Sequence, residues 1–280
     1  MANRPSALAK LVDSLPDPDE RGLLSNISKQ TVDDVITQIH EGGRRSLVAL
    51  VDMLVEPGEG DDVKARYALH CLAVHVCKLN SERTRGAFAR TLASQLGGDR
   101  PKAVQKYIIE QLQVAGGREV SPALGKMLLD DQLCDPAAQA LTAIGNGAAG
   151  QFRVALRKAT AKCKLTIIQN LGVLRDADSA SQIRGFLEED DREIRMAVRW
   201  ALANMGDGGS ADLLLSAADD ASGYERVKAT KACLLLAEKL LAAGEKDRAA
   251  SIYEHLRAGS DEAYVRDAAE KGLAAVDESR

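Results

Sequence analysis

Apolar and polar positions alternate along this chain with helical spacing. In the segments REIRMAVRWALANMG (192–206) and PKAVQKYIIEQLQVAG (101–116), apolar residues recur three and four positions apart. That spacing is typical of a helix with one buried face. Both segments end at a glycine, the residue that most often follows the last turn of a helix. The pattern therefore predicts amphipathic helices.

Segments of this kind repeat along most of the chain. Aligned on the polar residue of an apolar–polar pair near their start, they share what we call the anchor row: Lys64, Gln105, Cys134, Lys164, Arg195, Lys228 and Arg266. One position earlier stands an apolar row: Val63, Val104, Leu133, Cys163, Ile194, Val227 and Val265. Seven positions later stands a leucine row: Leu112, Leu141, Leu171, Leu202, Leu235 and Leu273. Rows in register predict stacked helices with a continuous core.

Second helices of a different type separate these segments, and several end in an acidic turn such as Asp190–Asp191. Each unit is thus predicted as helix, acidic turn, helix and glycine-containing turn. The units are expected at about 44–80, 81–117, 118–146, 147–175, 176–207, 208–244 and 245–276. Residues 1–43 are predicted to form a helical cap, with helices at 5–14 and 31–40 around a loop containing PDPDERG. Thr31 with Asp34 is expected to cap the second of these helices.

The consensus L-x-x-L-L-x-D-x-D-x-x-V-R-x-A-A-x-x-A-L-x-x-L-G is matched best by ADSASQIRGFLEEDDREIRMAVRWALANMG at 177–206. This pattern resembles HEAT repeats, and its short period is similar to the HEAT-like repeats of phycobilin lyases. The resemblance covers about 44–276. It implies an all-α fold, a right-handed α-solenoid of about seven HEAT-like helix pairs with an N-terminal helical cap. Such arrays offer a long concave surface.

Composition narrows the function classes. Aromatic residues make up 3% of the chain, which argues against a mainly β fold, a tetrapyrrole pocket and a base-stacking platform. Lys and Arg number 37 against 41 Asp and Glu, for a net charge of −4, whereas nucleic-acid binders usually carry a basic surplus. The basic anchor row has two interpretations. In the first, the cations bind phosphates, as in HEAT-like DNA alkylation-repair glycosylases. In the second, each cation forms an ion pair with an acidic turn residue, as Asp191 would with Arg195. We expect the ion pairs.

Location and redox state are predicted from what the sequence contains. Its apolar runs are far shorter than the ~20 residues that span a bilayer, so no membrane association is expected. The first residues show no long apolar stretch of a signal peptide. Five scattered cysteines without a C-x-x-C motif are expected to be reduced packing residues. We therefore expect an untargeted cytoplasmic protein.

One cluster offers metal-ligand chemistry: His70, Cys71, His75 and Cys77. On a helix, His70 and Cys77 share one face while Cys71 and His75 share another, so the four cannot surround one tetrahedral ion. The HEAT-fold deoxyhypusine hydroxylases use repeated His-Glu pairs, and here His40-Glu41 is the sole such dipeptide. H-E-x-x-H, G-x-S-x-G and Walker A motifs are also absent from the sequence. We predict no catalytic residues, no metal and no cofactor.

The concave side is predicted to be lined by residues that follow the anchors. This strip contains Lys106, Glu110, Gln113, Gln139, Gln169, Met196, Arg199 and Trp200. Trp, Arg and Met are enriched in interface cores, and Trp200 either fills space between units or is an exposed anchor. The predicted function is a non-enzymatic scaffold or adaptor that binds a protein or peptide on this surface. The alternatives are a bilin-lyase-like ligand-handling enzyme and a HEAT-like nucleic-acid-binding protein.

Overall fold

The structure is a computed structural model that describes residues 6–17 and 28–279. These residues form sixteen α-helices and three short 3₁₀-helices, with no β-strand among them. The predicted all-α class of stacked HEAT-like helix pairs is confirmed. The chain divides into two compact units, Met1–Gln151 and Phe152–Arg280.

The helices of the first unit run in short pairs. They are α1 (Ala7–Asp13), α2 (Lys29–Glu41), α3 (Gly43–Val51), α4 (Val63–Lys78), α5 (Glu82–Ala93), α6 (Lys102–Ala115), α7 (Ser121–Met127), α8 (Cys134–Ile144) and α9 (Ala148–Leu156), which extends past the boundary of the unit. A 3₁₀-helix at Arg118–Val120 precedes α7. Helices α4, α6 and α8 contact one another in sequence, and the predicted apolar rows lie on them or directly before them. We call these, with α10, α12, α14 and α16 below, the inner helices.

The second unit continues the same alternation. Its helices are α10 (Ala161–Val173), α11 (Ala180–Arg184), α12 (Arg192–Met205), α13 (Ala211–Asp220), α14 (Gly223–Ala242), α15 (Lys246–Gly259) and α16 (Ala263–Ser279). The 3₁₀-helices Ala177–Ser179 and Gly208–Ser210 precede α11 and α13. The inner helices α10, α12 and α14 form the most extensive helix contacts of this unit, together with the pair α15 and α16.

The N-terminal helices begin differently from the prediction. Helix α2 starts at Lys29, because the Ser28 hydroxyl accepts a hydrogen bond from the Thr31 amide at 3.5 Å. Serine is a favoured N-cap residue, so the expected Thr31 cap is wrong, and Asp34 instead accepts from the Gln30 side chain. Most of the predicted PDPDERG loop lies outside the described residues.

The apolar and leucine rows form the core in most inner helices. In α6, α8, α10 and α12 the members of both rows are buried, with an exposed fraction of at most 1%. Val63 departs from the row and is 42% exposed, because it is the first residue of α4. Leu273 is also partly exposed, since the core side of α16 passes through Gly272, which packs against the Tyr253 ring.

Helix α14 has a register that differs from the sequence prediction. The anchor is the fourth residue of α6, α10, α12 and α16, and the fourth residue of α14 is Arg226 rather than Lys228. Seven positions after Arg226 comes Cys233, which is 1% exposed, whereas Leu235 is partly exposed. The predicted places of Lys228, Val227 and Leu235 in their rows are therefore wrong. The shift of two residues turns Lys228 away from the anchor row.

Candidate functional site, a groove on three inner helices

A groove of about 360 Å³ lies on α10, α12 and α14 within the second unit. Its lining mixes two aromatic rings, aliphatic side chains and charged groups: Gln169, Glu193, Met196, Ala197, Trp200, Tyr224, Lys228, Lys231, Ala232 and Leu235. Ligand sites typically have this size and an apolar lining with a few polar groups. The α10–α12–α14 groove is the candidate functional site.

Trp200 is held at the edge of this groove by a glycine on the neighbouring helix. A Cβ atom at Gly172 would lie 2.6 Å from Cζ3 of the Trp200 ring and 3.0 Å from Cα of Ala201. The missing side chain therefore lets α10 and α12 approach closely, with the indole lying against the α10 backbone. Asn204 strengthens the same contact by donating to the Gly172 carbonyl oxygen at 3.0 Å.

The ring is packed on one side and open on the other. Trp200 keeps 36% of its surface exposed, so the structure combines the two interpretations: the ring packs between α10 and α12 and also presents an open side to the groove. Met196 beside it is partly buried, and Gln169 on α10 is exposed in the groove lining. Three of the predicted strip residues thus meet at one site.

Arg199, by contrast, is not on the exposed strip. It is 6% exposed, and its Nη1 donates to Oε1 of Glu225 at 2.7 Å. The prediction that Arg199 faces outward is wrong, because an acidic residue at the start of α14 draws its side chain toward the neighbouring helix. A partner in the groove would not reach this buried guanidinium.

Glu225 binds a second arginine at the same time. Arg195 donates to both Glu225 carboxylate oxygens, each at 3.0 Å. These hydrogen bonds, with those from Arg199, lower the pKa of Glu225 to about 2, against the burial that would raise it. The carboxylate is therefore charged at neutral pH, and the three side chains join α12 to α14.

Three residues do not form the ion pairs that were expected between anchor cations and acidic turn residues. Asp191 does not pair with Arg195; it caps α12 by accepting from the Glu193 amide at 2.8 Å. Lys64 instead contacts the cap region, with Nζ 2.8 Å from an Asp17 carboxylate oxygen. Gln105 is buried, and its side chain accepts from the Gly97 amide and donates to the Arg100 carbonyl oxygen.

Several other anchors bind an acid in the following helix pair. Lys164 of α10 binds Glu189, in the turn before α12. Arg226, which holds the anchor position of α14, lies 3.9 Å from Glu262, just before α16. Arg266 donates to the Ser260 carbonyl oxygen at 2.9 Å. Internal pairing is thus the observed state of Lys164, Arg195 and Arg226.

The α14 wall of the groove was not predicted from the sequence. Tyr224, Lys228, Lys231 and Leu235 follow one another at spacings of four, three and four, and so share one helix face. Tyr224 is 58% exposed, and the Lys228 ammonium lies 5.3 Å from the centre of its ring. The sequence shows the helical spacing of these four residues. Because the prediction placed Lys228 in the anchor row, it did not assign this face of α14 to the binding surface.

The remaining strip residues lie in the first unit. Lys106, Glu110 and Gln113 are exposed on α6, and Gln139 is exposed on α8. No aromatic residue accompanies them on this face, since Tyr107 turns back to donate to the Arg66 carbonyl oxygen at 2.7 Å. Their role in binding stays a prediction.

The histidine–cysteine cluster is dispersed among local contacts. His70 is hydrogen-bonded to Gln111 at 2.9 Å, and the Cys77 thiol lies 3.6 Å from the Val114 carbonyl oxygen. The His75 ring lies beside the His40 ring, with ring centres 5.3 Å apart and the ring planes tilted by 54°. Within residues 6–17 and 28–279, no three His, Cys, Asp or Glu side chains converge in a way that would hold a metal ion.

None of the described helices combines the length and the apolar character that are needed to cross a membrane.

Comparison with known proteins agrees with this architecture. Residues 150–235, which include every residue that lines the groove, match the family of HEAT repeats. The predicted resemblance to HEAT repeats is confirmed. No curated protein matches the chain in sequence.

Several solved structures resemble the HEAT-like fold of this chain. The complex of CpcE and CpcF of phycocyanin lyase from Nostoc sp. PCC7120 is 17% identical, covers 83% of this chain and 94% of its own, and has a TM-score of 0.39. An archaeal HEAT-like repeats protein from Thermococcus onnurineus NA1 is 15% identical, with 99% of each chain covered and a TM-score of 0.38. A computationally designed armadillo repeat protein for modular peptide recognition is 19% identical, covers 95% of this chain and 98% of its own, and has a TM-score of 0.30. These are likenesses of fold alone.

Proposed function

We propose that this protein is a non-enzymatic scaffold that binds a segment of a protein partner in the α10–α12–α14 groove. The observation that carries the proposal is the pair of exposed rings, Trp200 and Tyr224, at the edge of a groove that is lined by both apolar and charged side chains. Tryptophan and tyrosine are the residues most enriched among interface hot spots. We also propose that the protein has two parts, an N-terminal helical cap at 1–43 and a HEAT-like repeat solenoid at 44–276.

The groove is preorganised for binding. Its walls are helices rather than loops, and the Trp200 indole is fixed against Gly172. Side chains that are already ordered lose little conformational entropy on binding, which favours affinity. The groove therefore supports recognition of one apolar side chain with a definite shape.

The bound anchor cations beside the groove argue against a phosphate-binding row of the nucleic-acid type. Affinity for nucleic acid grows with the number of phosphates that lysines and arginines neutralise. Lys164 and Arg195 are already bound to Glu189 and Glu225, so they are not available as a phosphate-binding row. The proposal also places the protein in the cytoplasm, which the five free cysteines support.

The test begins with peptides selected from a random library displayed on phage, using the full chain as bait. We expect selected peptides to bind wild-type protein and to lose about thirtyfold or more in affinity with Trp200→Ala, since truncating an anchor costs ~2 kcal/mol or more. Calorimetry provides the affinities, and circular dichroism verifies that the variants are folded.

Gln139→Ala is the matched control, because Gln139 is exposed on an inner helix of the first unit and belongs to the same predicted strip. Its affinity for the peptides is expected to equal that of the wild type. Equal binding by the Trp200→Ala variant would show that the groove is not the docking site.

A further inference from the structure

Two lysines in the groove differ from the cations Lys164, Arg195 and Arg226, which are bound to acids. The Lys228 ammonium lies 5.3 Å from the centre of the Tyr224 ring, and Lys231, one turn further along α14, is exposed in the groove lining. No ion pair within 4 Å is formed by either lysine in the described part of the chain. Their ammonium groups therefore line the groove without being neutralised by the fold.

The lining as a whole is positive. It contains Lys228 and Lys231 against the single carboxylate of Glu193, which leaves one net positive charge. Charge complementarity contributes to partner choice and to the rate of association more than to affinity. A segment that fills this groove is therefore expected to bring negative charge to α14.

We propose that the occupant of the groove is an acidic peptide segment in which a bulky apolar side chain stands next to a pair of carboxylates. This inference rests on the proposed function and adds the chemistry of the partner. The apolar side chain fills the space bordered by Met196, Trp200 and Leu235, and the carboxylates bind Lys228 and Lys231.

The geometry of α14 fits such a segment. Lys228 and Lys231 are three residues apart on one face, where Cβ atoms are about 5–6 Å apart. Side chains on the same side of an extended peptide are two residues apart, about 6.5–7 Å. Two carboxylates spaced in this way reach both lysines, while the residue between them points to the opposite side of the peptide. The apolar side chain then comes from a flanking position and turns toward Trp200.

The test compares two variants with the same change of net charge. Lys228→Gln/Lys231→Gln removes the two groove lysines, and Lys126→Gln/Lys158→Gln removes two exposed lysines that do not line the groove. Peptides selected on the wild type are expected to be rich in Asp and Glu beside Leu, Phe or Trp. Their affinity is expected to fall about twofold to thirtyfold in the groove variant, since each exposed ion pair contributes ~0.2–1 kcal/mol. The control variant is expected to bind like the wild type.

Each other outcome has a definite meaning. Peptides that need Trp200 but show neither acidic enrichment nor loss of affinity in the groove variant would overturn this inference and leave the proposed function standing. Failure to select any peptide that depends on Trp200 would overturn both. A single-stranded oligonucleotide that displaces the peptide and loses affinity in the groove variant would identify nucleic acid as the occupant and overturn the acidic-peptide inference.

Discussion

The exposed faces of α6 and α8 in the first unit and of α10 and α12 in the second occupy the same place in the repeat, yet they differ in chemistry. The first unit presents Lys106, Glu110 and Gln139, whose polar ends are exposed to water. The second presents Met196 and Trp200 beside a cavity. The repeat thus determines where a side chain faces, and two local changes convert such a face into a candidate site.

The first change is Gly172, which lets an indole approach the neighbouring helix closely. The second is the two-residue register of α14, which brings Lys228 and Tyr224 to the groove instead of to the anchor position. Neither change alters the core rows of α10 and α12. Function in this fold is therefore expected to depend on a few surface positions, while stability depends on the rows beneath them.

The largest expected effect is on the shared core. Leu202→Ala should destabilise the protein by about 2–5 kcal/mol, because Leu202 is fully buried and its truncation leaves a cavity. The measurement is chemical denaturation followed by circular dichroism. Leu112→Ala, at the same position in the first unit, should have an effect of similar size; a cost below about 1 kcal/mol in either variant would contradict the common core.

The next largest effect is expected from ion pairs, which should stabilise the second unit more than the first. Glu225→Gln should cost about 1.5–3 kcal/mol, the range for hydrogen bonds to charged groups, because it weakens the bonds to Arg195 and Arg199. The first-unit pair Lys102 and Asp130, at 2.5 Å, is more exposed, so Asp130→Asn should cost at most ~1 kcal/mol. Equal costs measured by urea denaturation would remove this difference.

The same cluster predicts a pH dependence. The pKa of Glu225 is about 2 in the folded protein, below its ordinary value of 4.5. A lowered pKa contributes stability that is present above pH 4.5 and is lost as the pH falls from about 4.5 to 2. The wild type should therefore lose more stability over this window than Glu225→Gln; parallel denaturation curves for the two proteins would contradict the cluster.

A smaller effect tests the glycine that shapes the groove. Gly172→Ala should destabilise the protein by about 1–3 kcal/mol through overpacking and should shift the fluorescence of Trp200, the sole tryptophan.

Gly150→Ala is the control, since a Cβ there meets nothing within 4 Å. That helical position should gain about 0.5–1 kcal/mol, with no change in fluorescence. An unchanged spectrum in Gly172→Ala would show that the glycine does not position the indole.

The smallest effects are expected on the polar face of the first unit. Lys106→Ala and Gln113→Ala should change the free energy of unfolding by at most ~0.5 kcal/mol, as is usual for surface substitutions without fixed partners. They should also leave peptide binding unchanged. A loss of binding comparable to that of Trp200→Ala would extend the docking surface to the first unit and weaken the contrast between the two faces.

The fold was predictable because burial imposes a period on the sequence. The positions of Ile194 and Leu202 in α12 follow from rows that recur in most of the inner helices, and they are buried as expected. The register of the rows on a helix was harder to predict where it depends on the residue at which that helix begins. Helix α14 begins five residues before Lys228, and nothing in the local pattern of Val227-Lys228 distinguishes it from a true anchor.

The site was predictable only in part. Trp200 and Met196 were identified from residue type and helix face, whereas Arg199 was misplaced because its partner, Glu225, lies on the next inner helix. Gly172 carries no side-chain signal at all. Its role depends on the close approach of two helices, which a single sequence does not encode as a motif.

The ion pairs between neighbouring helix pairs have a consequence for how such an array changes in evolution. Lys102, Lys164, Arg195 and Arg226 each bind an acid that belongs to the pair after their own: Asp130, Glu189, Glu225 and Glu262. The modules of α12 and α14 thus each carry an acid that is bound by the preceding module and an arginine that binds the following one. Duplication or deletion of one of these two modules would leave an oppositely charged pair at the new junction, so this part of the array can change length by a whole module while keeping its ion pairs.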